Sequence, residues 1–143
     1  MKPKEYLMQI QELYWSIYIN QEAIERARAR LDIHGISYDR DKVQTTPEDS
    51  MPDLVAALIK LEDVTDAKYE RLLAMIQTIT EQINQLDDIT DRRILFMRYV
   101  KGNTLGAIAR ELHYSYDWMK HRHGMALRKF GEIFHDLSRF DTK

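Results

Sequence analysis

The sequence predicts an all-α protein in which a long antiparallel, coiled-coil-like helical hairpin precedes a small helix-turn-helix domain. Apolar residues recur at helical spacing through residues 3–32 and 53–86. Glycine and proline are scarce, at 5 and 3 of 143 residues, and the sequence shows little strand-like alternation. Two short amphipathic helices are predicted close to the C-terminus. We place the hairpin at residues 1–87 and the helix-turn-helix domain at residues 88–143.

The first predicted helix covers residues 3–32. Pro3 suits a first turn, where its missing N–H group has no partner to lose. A seam with alternating spacings of three and four follows, which is typical of coiled-coil packing; it consists of Ile10, Leu13, Ile17, Asn20, Ile24, Ala27 and Leu31. The polar member, Asn20, is expected to fix the register or the oligomeric state. This seam requires a partner helix.

The second predicted helix covers residues 53–86, after a connector at about residues 33–52 that contains Gly35 and Pro47 and is expected to be flexible. Asp53 lies in its first turn, where the helix dipole favours negative charge. Its apolar stripe consists of Leu54, Leu58, Leu61, Val64, Leu72, Met75, Ile79, Ile83 and Leu86. Antiparallel packing buries both stripes, either within one chain or in a homodimer formed through residues 3–86.

Three shorter helices are predicted after Asp87 and Asp88. Thr90 is expected to cap the first, which runs to about Val100 before a turn at Gly102. Thr104 is expected to cap the second, whose apolar side consists of Leu105, Ile108, Ala109 and Leu112. These residues complete the first half of the helix-turn-helix pattern.

Ser115 is the expected N-cap of the last helix, which should extend to about Ser138, and Tyr114 and Met119 are spaced as a hydrophobic staple. Its predicted buried side consists of Met119, Ala126, Leu127 and Phe130, and its outer side of Tyr116, Asp117, Lys120, His121 and Arg128. In a helix-turn-helix, a second helix of this kind lies in the major groove of DNA. Paired amphipathic helices also occur in small bundles that bind no DNA.

Charge is distributed unevenly along the chain. Residues 53–89 contain 3 Lys and Arg against 8 Asp and Glu, whereas residues 90–143 contain 11 against 6. The C-terminal part is therefore positive by 5 charges within a chain of net charge −2. Such asymmetry indicates an anionic partner for the basic part.

Several functional classes find no support in the sequence. There are no cysteines, which excludes disulfides and thiolate chemistry and fits a reducing cytoplasm. We expect no membrane segment and no signal peptide, because no apolar run is long enough. There is no glycine-rich phosphate loop, HExxH or GxSxG motif, and His121 and His123 point to different sides of a helix. We therefore expect a non-enzyme without cofactor or metal.

From Thr90 to Phe130 the chain resembles region four of bacterial sigma factors. The resemblance rests on the segment Ile94–Tyr99, on Gly102, on the run from Thr104 to His113, on Ser115 and Met119, and on Ala126–Phe130. The whole layout is similar to the ArpU/RinA-type regulators of phages and prophages, in which a helical N-terminal part precedes a sigma-like helix-turn-helix. This resemblance implies a DNA-binding activator of late phage genes that acts in the cytoplasm of a bacterial host cell. The pattern departs from sigma factors at Tyr116, Asp117 and Trp118, so no base preference is carried over.

The predicted interface with double-stranded DNA lies on the last two helices. Base edges are assigned to Tyr116, Asp117, Lys120 and His121, and phosphates to Lys120, Arg122, Arg128 and Lys129. Arg110 adds a backbone contact, Ser115 lies at the start of the recognition helix, and Trp118 is either a surface or a core residue. Two alternatives remain open. One is a small terminase subunit that recognises phage packaging DNA, and the other is a sigma-like adaptor that binds RNA polymerase.

Overall fold

The computed structural model describes residues 1–33 and 50–140, and the described chain is helical without strands. Five α-helices follow one another: α1 (Pro3–Ile33), α2 (Ser50–Ile83), α3 (Ile89–Leu95), α4 (Leu105–Leu112) and α5 (Tyr116–Ile133), with a π-helical turn, Phe96–Val100, directly after α3. The all-α prediction of a long helix pair followed by shorter helices is confirmed. The predicted connector at 33–52 falls mainly on residues 34–49, outside the described residues. No described helix is long and apolar enough to cross a membrane.

The described chain forms two compact units, one built from Met1–Tyr14 and Arg71–Lys143 and the other from Trp15–Glu70. Both long helices contribute to both units. The predicted boundary between residues 87 and 88 therefore falls inside the first unit. The physical reason is that the start of α1 packs on α5, where the Tyr6 and Phe130 rings lie 6.1 Å apart.

In the unit Trp15–Glu70, α1 and α2 run antiparallel. Lys68 Nζ donates to Ser16 Oγ at 2.6 Å, while further along α1 the Arg28 guanidinium meets Glu62 at 3.0 Å. The two helices also enclose an apolar core whose buried members are Ile24, Leu31 and Leu58. The seam predicted for α1 is thus used within the chain.

Asn20 is the polar member of that seam, as predicted, and it is half-buried. Its Nδ2 atom is buried and has no hydrogen-bond partner among the described residues. A buried amide without a partner destabilises the fold. Two members predicted for the α2 stripe, Leu54 and Val64, are exposed instead, whereas Thr65 is buried and its hydroxyl donates to the Leu61 carbonyl at 2.7 Å.

In the first unit, α3, the π-helical turn, α4 and α5 enclose an apolar core, formed by Ile94, Met97, Ile108, Ala109 and Met119. Helix α3 is capped by Asp88, whose carboxylate accepts from the backbone N–H of Thr90 at 2.7 Å. The prediction that Thr90 is the cap was wrong, because the aspartate two residues earlier has the extended backbone and the acceptor that a cap needs.

The turn before α4 contains Gly102, as predicted, with a φ of 80°. The positive φ favours glycine here, and a Cβ at this position would also lie 2.8 Å from Gln11 Oε1, so the Gln11 side chain would have to move. The Gln11 amide also donates to the Tyr99 carbonyl at 3.1 Å, which links α1 to the π-helical turn.

Helix α5 ends at Ile133, five residues before the predicted end at Ser138. The following backbone is extended at Phe134, and the chain returns to α1. There the Phe140 ring stacks on Tyr6 with centroids 5.4 Å apart, and the Phe140 N–H donates to Gln9 Oε1 at 2.9 Å. These contacts replace the helical hydrogen bonds that a longer α5 would have made.

Candidate nucleic-acid interface

The turn between α4 and α5 consists of His113, Tyr114 and Ser115. His113 has left-handed backbone angles, φ 63° and ψ 41°. Its N–H donates to the Arg110 carbonyl at 3.4 Å, and the Tyr114 N–H donates to the Ala109 carbonyl at 2.9 Å. This pair of bonds is a Schellman motif, which usually has glycine at the left-handed position. Because histidine stands there, the sequence alone did not reveal the motif.

Both predicted caps of the helix-turn-helix are confirmed. Thr104 Oγ1 accepts from the Ala107 N–H at 3.1 Å, and Ser115 Oγ accepts from the Trp118 N–H at 3.1 Å. Each cap satisfies a backbone donor that the helix itself leaves free, and so fixes where the helix begins. Ser115 therefore sets the start of α5 within the turn.

The exposed aromatic side chains near the start of α5 pair locally. Tyr114 stacks on Trp118 with centroids 3.9 Å apart, and Lys120 Nζ lies 5.6 Å from the centroid of the Tyr116 ring. Trp118 is 37% exposed, so the structure favours a surface residue over a core residue. Met119 is buried. In the structure, the aromatic partner of Tyr114 is Trp118, which lies next to the predicted staple residue Met119.

One face of α5 is buried in the first unit; it consists of Met119, His123, Ala126 and Phe130. Successive residues of a helix are about 100° apart around its axis. Four exposed residues, Asp117, His121, Gly124 and Arg128, fall within about 60° of one another on the opposite side. We call these four residues the outer line of α5. Tyr116 and Lys120 flank it on one side and Trp118 on the other.

Three of the predicted cations on these helices are exposed: Arg110, Lys120 and Arg128. Within residues 1–33 and 50–140, none of them forms an ion pair with a carboxylate. Their charges are therefore available to an anionic partner. Asp117 and His121, both predicted to face base edges, are exposed on the outer line.

Arg122 and Lys129 were predicted as phosphate contacts, but both face α3 instead. Arg122 Nε lies 2.7 Å from one oxygen of Asp91, and Lys129 Nζ lies 3.0 Å from the other. Arg122 also reaches Asp88 at 2.9 Å. Asp91 is completely buried, so the two cations compensate its charge. We call these four residues the Asp91 cluster, and it holds α5 against α3.

Asp88 connects that cluster to the start of α3. Its carboxylate accepts hydrogen bonds from the backbone N–H groups of Thr90 and Asp91, and these bonds hold the pKa of the Asp88 carboxyl below its usual value. The nearby Arg122 guanidinium lowers this pKa further. Sequence reasoning missed Asp91 as an anchor, because its partners on α5 lie more than thirty residues away along the chain, at separations of 31 and 38.

The buried face of α5 contains a second polar contact, in which Tyr99 Oη and His123 Nε2 lie 2.8 Å apart. Burial lowers the pKa of His123 to about 4, with Arg98 and Lys4 contributing in the same direction. Burial also raises the pKa of Tyr99 to about 12. His123 is therefore a neutral core residue at neutral pH. Among the described residues no cluster of His, Asp and Glu could hold a metal ion.

Comparison with protein-family models, with curated proteins and with solved structures finds no match for this chain. The function of the chain is therefore inferred from the geometry of α4 and α5 and from their exposed charges.

Proposed function

We propose that this protein is a sequence-specific regulator of transcription that binds double-stranded DNA through α4 and α5, with α5 as the recognition helix. The observation that carries the proposal is the outer line of α5, an exposed polar face opposite a fully buried one. The caps at Thr104 and Ser115 and the Schellman turn between them supply the rigid two-helix geometry that groove binding needs.

The proposed contacts divide into two groups. Lys120, Arg128 and Arg110 contact phosphates, since they are exposed cations without ion-pair partners among the described residues. Asp117 and His121 face base edges, and a carboxylate in this position accepts a hydrogen bond from a cytosine amino group. Arg122 and Lys129 are not among the proposed phosphate contacts, because both form ion pairs with Asp91.

This division predicts the salt dependence of binding. Three phosphate contacts give a slope of about −2.7 in a plot of log affinity against log salt concentration for each bound chain. The five cations predicted from the sequence would give about −4.5. The slope therefore tells whether the Asp91 cluster withholds two cations from DNA.

The resemblance to sigma region four and to ArpU/RinA-type regulators supports the narrower proposal of a phage or prophage regulator that activates late genes. A homodimer through residues 3–86 would present two recognition helices to a palindromic site. Exposed apolar side chains of the unit Trp15–Glu70 support this; they are Tyr18, Ile19, Leu54 and Val64.

The test begins with selection of bound fragments from fragmented genomic DNA of a phage and its host. The affinity of the recovered duplex is then compared with that of a scrambled duplex by fluorescence anisotropy. We expect at least tenfold tighter binding of the recovered duplex, and Lys120→Ala should weaken binding and reduce the salt slope by about 1. Lys60→Ala, which removes an exposed lysine of α2, is the matched control and should change neither.

Equal affinity for the two duplexes, or identical binding by Lys120→Ala and Lys60→Ala, would refute the proposal. The recovered sequences and the mass in solution separate the alternatives. Promoter fragments and a mass of twice 17.0 kDa fit the regulator. Packaging-site fragments and a ring of about eight subunits would indicate a small terminase subunit. Capture of RNA polymerase without any DNA binding would indicate the adaptor.

A further inference from the structure

Gly124 lies in the middle of α5 on the outer line, between His121 and Arg128, and it is exposed. Apart from proline, glycine is the poorest residue for a helix interior. A glycine at such a position normally serves either a positive φ or the close approach of another group.

Neither reason is found within the described chain. Gly124 has no positive φ, and a Cβ built on it would meet no atom within 4 Å. Two other glycines, by contrast, are favoured by the conformation or the packing of the chain itself. Gly102 has a φ of 80°, and a Cβ on Gly131 would lie 2.9 Å from Pro3 Cγ. Gly124 has open space instead, which leaves room on the outer line for the close approach of a partner.

The position of Gly124 fits the proposed partner. From Asp117 to Arg128 the helix rises about 16 Å, whereas the major groove is about 12 Å wide. Because this length exceeds the groove width, the helix would lie obliquely in the groove, with Arg128 at the phosphates of one edge and Gly124 next to the bases. The absence of a side chain there allows the backbone of α5 to approach the base edges.

We propose that Gly124 is a positioning residue that lets double-stranded DNA come into van der Waals contact with the backbone of α5. The close approach brings the short side chain of Asp117 and the imidazole of His121 within hydrogen-bond distance of base edges. This inference rests on the proposed function, because it concerns the same face of α5. A side chain at position 124 would hold the helix away from the groove floor.

Gly124→Ala and Gly124→Leu test this inference on the full chain, with the duplex recovered by selection as the probe. We expect both variants to melt roughly 2–4 °C above the wild type, because each replaces glycine by a better helix former. Affinity for the recovered duplex should fall about fivefold for Gly124→Ala and at least thirtyfold for Gly124→Leu. The salt slope should stay unchanged, since no charge is removed.

The ratio of affinities for the recovered and the scrambled duplex is the readout that a purely structural role would not change. It should fall in both variants, since binding to scrambled DNA depends on phosphates alone. Thr78→Ala is the control, because it also introduces a better helix former at an exposed position of α2. It should leave binding unchanged, and an equal loss of affinity in this control would overturn the inference.

Wild-type affinity in both Gly124 variants would also overturn the inference, and it would leave the proposed function standing. A wild-type protein that does not prefer the recovered duplex would refute the proposed function and this inference together. The two failures are therefore distinguishable within one set of titrations.

Discussion

Replacement of Asp91 by asparagine tests whether the Asp91 cluster holds the recognition helix in place. The change keeps the shape of the side chain but removes its charge, and it turns one acceptor oxygen into an NH2 group. That group would face either Arg122 or Lys129, which now approach the two carboxylate oxygens at 2.7 and 3.0 Å. Both ion pairs are lost, and at least one of the two hydrogen bonds is lost with them.

The magnitude follows from the burial of the three groups. Hydrogen bonds to charged groups contribute about 1.5–3 kcal/mol each, which gives an upper bound of roughly 6 kcal/mol for two. Part of this loss is offset by water, because the Arg122 and Lys129 side chains are 21% and 43% exposed. Arg122 also keeps its ion pair with Asp88. We therefore expect the free energy of unfolding to fall by about 2–4 kcal/mol. The corresponding decrease in Tm is roughly 6–12 °C.

Circular dichroism during thermal and urea unfolding at pH 7 measures this loss. Asp87→Asn is the matched control: its side chain is exposed, and the expected change is below about 0.5 kcal/mol. A loss of less than about 1 kcal/mol for Asp91→Asn would refute the reasoning. Arg122 and Lys129 would then have to be reconsidered as phosphate contacts.

Two further predictions concern His123, on the buried face of α5, and His113, in the turn before α5. Because burial lowers the pKa of His123 to about 4, its contribution to stability should be complete above about pH 6.5 and decline as the pH falls towards 4, by up to roughly 3 kcal/mol. Urea unfolding at several pH values measures this decline, which should be much smaller in His123→Gln; an equal decline in both proteins would contradict it. His113→Gly should raise the free energy of unfolding by about 1 kcal/mol, because glycine adopts the left-handed conformation of His113 without a steric penalty. Thermal unfolding checks the gain, and a lower Tm would show that the His113 side chain makes a contact that outweighs the strain.

The sequence predicted those features of the fold that depend on local chemistry. The caps at Thr104 and Ser115 follow from a hydroxyl placed before an apolar stripe, and the turn at Gly102 follows from a glycine placed after a helical pattern. The bounds of α1 and α2 were predicted to within three residues, because long periodic patterns have few alternative explanations.

Features that depend on tertiary contacts could not be predicted from the sequence. Arg122 looked like a surface cation, since its partner Asp91 is buried on another helix. His123 falls on the buried face of α5 because Tyr99 supplies a hydrogen-bond partner there. Helix α5 ends at Ile133, and beyond it the Phe140 ring stacks on Tyr6 of α1. No local sequence pattern predicts this contact. The predicted interface therefore kept its outer residues and lost two cations.

A map of the protein surface that DNA contacts tests directly whether α5 is the recognition helix. Amide chemical shifts of the labelled protein are recorded as the recovered duplex is added. The largest changes are expected along the outer line, at Asp117, His121, Gly124 and Arg128, with small changes in the unit Trp15–Glu70. Changes confined to that unit, or no changes at all, would contradict the assignment of α5 as a recognition helix.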